Sequence, residues 1–199
     1  NKEISSEFLS DNLNTNKDDY LIEKAMQAAI TVVQNKNNVL PLEKTTTYGY
    51  LKLGDDTGLD FRNSLSKEIK LHRVNESLSN FEIISNLKDY EKIIIGFHRS
   101  NDNPWKASSF SKKEIQLISE LVKSHTIILD VFVKPYALSK INTLEGIDGL
   151  VVSYQNNIPA QIASADILLG DRKATGKLPV SISSSFPVGM GIELNGPTK

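Results

Sequence analysis

Five short apolar runs, each followed by an amphipathic stretch, constrain this chain of 199 residues more than any other feature. The runs are Tyr48–Leu53, Ile69–Val74, Lys92–Phe97, Thr126–Val133 and Ile147–Tyr154. Runs of this length, rich in isoleucine and valine, read as strands. Lys92–Phe97 (K-I-I-I-G-F) is apolar enough for burial on both faces. Strands alternating with helical patterns need crossover connections, so the fold class is α/β: a doubly wound, mostly parallel, five- to six-stranded sheet with helices on both faces. The third, fourth and first runs are expected at its centre, in a flavodoxin-like order. Leu178–Ile182 is expected as an antiparallel edge strand near the C-terminus, where Pro179 would leave no ladder donor missing.

Helix signals fill the gaps. Asp18 or Asp19 caps a helix predicted to reach about Gln34, with Leu21, Ile22, Ala25, Met26, Ala29, Ile30 and Val33 forming one buried stripe. Asn35–Asn38 end it, and Val39–Leu42 runs extended. Thr57 or Asp60 opens a helix to about Glu68, and Ser79–Lys88 forms another. Ser111 with Glu114 has the spacing of a capping box. Pro135 and Pro159 each open a first helical turn, the second helix ending at Leu169-Gly170.

Composition excludes several function classes. With 39% hydrophobic and 24% charged residues the chain is not wholly disordered, and a formal net charge of −1 with scattered lysines gives no nucleic-acid footprint. The apolar runs are far shorter than the ~20 residues of a membrane helix. There is no cysteine, hence no disulfide or thiolate chemistry. Residues 1–17, rich in Asn, Asp, Ser and Thr, read as a linker cut from something larger; residues 18–192 form the domain and 193–199 a tail.

The loops at the carboxyl ends of the strands should form the binding crevice. The richest is His98-Arg99-Ser100-Asn101-Asp102-Asn103-Pro104-Trp105. Trp105 either stacks on a sugar ring or plugs the loop, and Asn101 and Asp102 suit hydroxyl groups. His98 and Arg99 read more simply as polar residues facing water. Gly54-Asp55-Asp56-Thr57-Gly58 lacks a dinucleotide fingerprint, since two aspartates would repel a phosphate. No G-x-S-x-G elbow occurs, and His72, His98 and His125 are too dispersed for a metal site. No cofactor is expected. Asp130, inside I-I-L-D-V-F-V, is either a perturbed functional acid or, more simply, an acceptor for backbone donors near a strand end, the reading given also to Asp148 and Asp166.

Two terminal segments carry a family resemblance. Val32-Val33-Gln34-Asn35 leads into Leu40-Pro41-Leu42, and Gly176-Lys177-Leu178-Pro179-Val180-Ser181 leads into Gly189-Met190-Gly191. In this order, around a five-strand alternation, the chain resembles the C-terminal α/β-sandwich domain of family 3 glycoside hydrolases. The resemblance implies an N-terminal (β/α)8 barrel as partner in the same polypeptide, carrying the nucleophilic aspartate, with a glycan or glycoconjugate substrate at the domain interface. In the β-glucosidase branch this domain supplies a glutamate acid/base in a Glu-Gly-x-Asp-Arg type loop after the third strand. The matching loop here holds no glutamate.

A retaining mechanism sets two carboxyl groups about 5 Å apart, and Asp102 is the only acid in this loop. The β-N-acetylglucosaminidase branch takes its acid/base from a barrel loop instead, so the resemblance implies a non-catalytic domain of a β-N-acetylhexosaminidase. Its cleft candidates are His98, Arg99, Asn101, Asp102, Trp105, Asp55 and Asp56. Asp102 as general acid in a β-glucosidase, and a free-standing small-ligand module, stay open as alternatives. The family's roles imply a periplasmic or secreted parent.

Overall fold

The run K-I-I-I-G-F-H forms a strand whose alternate side chains enter two separate cores. Ile93, Ile95 and Phe97 join one, Ile94 the other. The chain is seen in a computed structural model that describes residues 16–100 and 109–197. Its elements are α1 (Asn16–Ala29), β1 (Thr31–Asn35), β2 (Thr47–Gly54), α2 (Leu59–Ser66), β3 (Lys70–Val74), α3 (Asn80–Leu87), β4 (Lys92–His98), α4 (Lys112–Leu121), β5 (Thr126–Phe132), β6 (Gly149–Val152) and α5 (Ile158–Leu169). The sheet order is β1-β6-β5-β4-β2-β3. Strands β2 to β6 are parallel neighbours in the flavodoxin-like order, with β4 and β5 at the centre, and β1 is antiparallel to β6.

Helices cover both faces. Ile83 and Leu87 of α3 and Leu117, Ile118 and Leu121 of α4 pack on one; Phe61 and Leu65 of α2 and Ala163, Ile167 and Leu168 of α5 pack on the other. Each large apolar side chain so buried contributes about 1.5–3 kcal/mol. Ser79 and Ser111 cap α3 and α4 with complete capping boxes to Glu82 and Glu114, and Gly170 closes α5 at φ 80.

Two sequence expectations are corrected. The first helix stops at Ala29, and Thr31–Asn35, predicted as its last turns, is the antiparallel edge strand. The β-branched run I-T-V-V gains more from pairing with β6 than from helix, where such side chains lose rotamer freedom. Nor is the apolar stripe buried along the helix: Leu21 and Ile22 are exposed, and its buried members Ile30 and Val33 lie beyond the helix's end.

The second correction concerns Leu178–Ile182, which is not a strand. Leu178 N donates to Met190 O at 2.7 Å and Ile182 N to Phe186 O at 2.9 Å, a local fold that drives Leu178, Ile182 and Phe186 into the core. The edge contact is made further on, where Ile192 bridges Val32 of β1. Gly176 is required at this closure, since a Cβ there would lie 2.3 Å from Ile30 O.

Candidate functional site

Strands β2 and β4 are adjacent, yet the helices that follow them leave to opposite faces: α2 joins one core and α4 the other. Such a switch point, at the carboxyl ends of the strands, is where open α/β sheets hold ligands. The loops after β2, β4 and β6 meet there.

His98, the last residue of β4, is fully buried. Its ring stacks on Phe132 at 4.3 Å and lies 5.7 Å from Phe61. Gly58 has φ 55, and a Cβ on it would approach the imidazole to 2.3 Å, so the loop after β2 closes over the ring only as glycine. Nδ1 lies 2.7 Å from Asn156 Oδ1. The amide's orientation is fixed, because Asn156 Nδ2 donates to Asp56 Oδ2 at 2.7 Å and Oδ1 accepts from Gln161 Nε2 at 3.1 Å. The imidazole must therefore donate from Nδ1, which leaves Nε2 bare and without a partner. Burial lowers the His98 pKa to about 4 against the raising effect of the Asn156 bond, so the ring is neutral at physiological pH. Gln161 Oε1 also accepts from Phe61 N at 3.1 Å, tying the start of α2 to the same network.

Arg99 turns back across Phe97, its guanidinium 5.0 Å from the ring. Nη2 donates to Ser109 O at 3.0 Å and Glu114 Oε2 at 3.3 Å, while Nη1 lies 3.9 Å from Asp55 Oδ1. Asp55 Oδ1 also accepts from Ser100 N at 3.0 Å. Asp56 Oδ1 accepts from Thr57 N at 2.6 Å. Glu114 accepts from Gly54 N at 2.9 Å and Ser111 N at 2.6 Å. Each of these carboxylates holds a loop in place.

The structure thus gathers His98, Arg99, Asp55 and Asp56 at one rim and corrects their roles: His98 and Arg99 are packed and bonded, not water-facing. Asn101, Asp102 and Trp105 lie outside the described residues. Sequence reasoning missed Asn156, Gln161 and Glu114 as rim organisers; only Glu114 carried a signal, its capping-box spacing. Asp130 is sealed beneath the rim, fully buried, accepting from Ser153 Oγ at 2.8 Å and from Ser164 Oγ. Burial raises its pKa to about 7, against the lowering effect of the serines. Its partners are mainly hydroxyls rather than the backbone donors expected. Asp148 accepts from Ile127 N as expected, whereas Asp166 pairs with Arg172. Among the described residues no three His, Cys, Asp or Glu side chains converge, and no helix is long and apolar enough to cross a membrane.

Comparison by sequence finds no matching family model and no matching curated protein. Comparison by structure does find matches. A variant of a β-glucosidase from Listeria innocua in complex with laminaribiose matches with TM-score 0.68 and 14% identity, over 90% of this chain and 28% of that one. The β-glucoside phosphorylase BglX bound to 2FGlc matches with TM-score 0.66 and 17% identity, over 92% and 35%. A family 3 β-N-acetylglucosaminidase from Paenibacillus sp. str. FPU-7 matches with TM-score 0.65 and 18% identity, over 91% and 35%. At such identities the likeness shows the fold alone, and this chain spans about a third or less of each neighbour. One of these neighbours is described as a family 3 glycoside hydrolase, and this chain has the fold of one part of each of the three.

Proposed function

We propose that this chain is the C-terminal α/β domain of a family 3 glycoside hydrolase cleaving terminal β-linked sugars, and that it shapes the cleft without supplying the catalytic acid. The observation that carries this reading is the coverage: nine-tenths of this chain matches 28–35% of the length of each of these three enzymes. The rim chemistry supports it. A general acid needs its carboxyl within hydrogen-bond reach of the leaving oxygen, and Asp55, Asp56 and Glu114 are each engaged by a neighbouring segment of the rim, through Ser100 N, Asn156 Nδ2 and Gly54 N.

An exposed apolar surface also supports the reading. Tyr20, Leu21 and Ile22 of α1 and Ile158 and Ile162 of α5 are exposed, and most of them border a groove of about 620 Å³. Apolar surface gathered in this way marks an interface. The partner we assign is a (β/α)8 barrel joined through residues 1–17, in an exported or periplasmic parent. The absence of glutamate from residues 98–105 favours β-N-acetylhexosaminides as substrates.

The test is hydrolysis of a chromogenic β-N-acetylglucosaminide and the matching β-glucoside by the full natural polypeptide and by this chain. The expected result is an active parent preferring the acetamido sugar, unaffected by Asp102→Asn, beside an inert fragment. A parent preferring the glucoside and disabled by Asp102→Asn would make this domain the acid donor instead. Turnover by the fragment alone would overturn both.

A further inference from the structure

Asn195-Gly196 is the one Asn-Gly pair among the 199 residues. The last backbone pairing before it joins Leu194 to Ala174: Leu194 N donates to Ala174 O at 3.1 Å, and Ala174 N to Leu194 O at 3.0 Å. Beyond this bridge the chain belongs to no helix or strand, and Asn195 is exposed. Among the described residues, neither the Asn195 amide nor Gly196 N makes a hydrogen bond. Gly196 has no Cβ to shield its nitrogen, and glycine's wide φ/ψ range lets that nitrogen reach the neighbouring side chain. Two related pairs lack this freedom. Asn63-Ser64 lies inside α2 with Ser64 buried, and Asp148-Gly149 leads into β6 with Asp148 Oδ2 accepting from Ile127 N at 2.9 Å. In both, secondary structure fixes the backbone that would have to turn.

The surroundings suit a new negative charge. Asn195 and Gly196 line an open groove with Lys24, Asp171, Arg172 and Lys173. Lys44 engages Asp171 at 3.4 Å, and Glu23 and Asp166 engage Arg172, each at 2.7 Å. Lys24 and Lys173 have no carboxylate partner among the described residues. We propose that Asn195-Gly196 is a self-modification site, where the asparagine amide is converted to a carboxylate without an enzyme. Gly196 N bonds to Asn195 Cγ, and the Cγ–Nδ2 bond breaks. The proton from Gly196 N departs with the Nδ2 group as ammonia, leaving a succinimide ring. Water then opens the ring. Breaking the Cγ–N bond gives aspartate; breaking the bond between the Asn195 main-chain carbonyl and Gly196 N gives isoaspartate. Water is the only co-reactant, and the chemistry is independent of the glycosidase reading.

The test is incubation of the 199-residue chain in mildly alkaline buffer, with and without urea. Peptide mass mapping locates each lost amide, and labelling by an isoaspartyl methyltransferase reports the isoaspartate formed. In the native chain Asn195 is expected to lose its amide ahead of every other asparagine, while Asn63 keeps its own until urea is added. Asn195→Ala, at an exposed coil position, should abolish the methyl-accepting product that accumulates in the native chain. An Asn195 that keeps its amide in the native chain but loses it in urea would mean that the fold protects the pair, and would overturn the proposal. Equal rates at Asn63 and Asn195 in the native chain, or undiminished labelling of Asn195→Ala, would overturn it as well.

Discussion

Asp130 sits in the middle of a parallel sheet, its oxygens taken up by the hydroxyls of Ser153 and Ser164 and the backbone N–H of Val131. The arrangement makes the three side chains a unit. Asp130→Ala leaves the Ser164 hydroxyl without its acceptor, Ser153 keeping only Ser164 Oγ at 3.0 Å, and opens a cavity; it should cost about 2–4 kcal/mol. Asp130→Asn keeps one acceptor oxygen and should cost about half as much; urea denaturation of both variants checks the ratio. The sequence around Asp130 announces a buried charge but not its partners, because the serines arrive from β6 and α5. His98 is harder still to read. Its neighbours Phe61 and Phe132 and the gap left by Gly58 come from two segments far from it in the chain, so its tuned, neutral state has no local signature. Asn156 is one of three consecutive amides and Gln161 lies in the largely apolar α5, and only the meeting of three loops gives them a role.

Among the elements, α4 does more than its ten residues suggest. Its capping glutamate also receives Gly54 N from the end of β2 and the guanidinium of Arg99. Ser111→Ala should therefore cost about 1 kcal/mol, as an ordinary cap does. Glu114→Ala should cost about 2–3 kcal/mol, because a partly buried Arg99 loses its charge partner. The two effects should fall short of additive in the double variant, measured by chemical denaturation.

This element was legible because capping signals are local. The central strands were legible for a different reason: burial on both faces forces unbroken apolar runs such as K-I-I-I-G-F. Strand β1 was not, since Ile30 and Val33 continue the three-and-four spacing of α1 into a segment that is extended. Its pairing partner, β6, lies too far along the chain for any window to see. Clustered β-branching in I-T-V-V was the available clue.

At the scale of the molecule, two buried titratable groups oppose each other. Asp130 has its pKa raised from 3.8 to about 7, so its contribution is present below pH 4 and is lost as pH rises towards 7. His98 has its pKa lowered from 6.5 to about 4, so its contribution is present above 6.5 and is lost as pH falls to 4. Between pH 4 and 6.5 the slopes are opposite, each about 1.4 kcal/mol per pH unit, and offset one another. Relative to wild type, Asp130→Asn should lose stability as pH falls through that window, and His98→Gln should gain it. Thermal denaturation from pH 4 to 7 reads both, and parallel curves for all three proteins would contradict the assignment. The molecule is also closed in another sense. Val32, at the opening edge of the sheet, and Ile192, near its end, are bound to each other, with Ile192 N donating to Val32 O at 2.7 Å. The bridge works as a clasp, joining segments from the two halves of the chain and holding the one strand that runs against the rest of the sheet. Unfastened, it would leave β1 held by β6 alone, with β6 and β5 standing between the loosened margin and the crevice on β2 and β4.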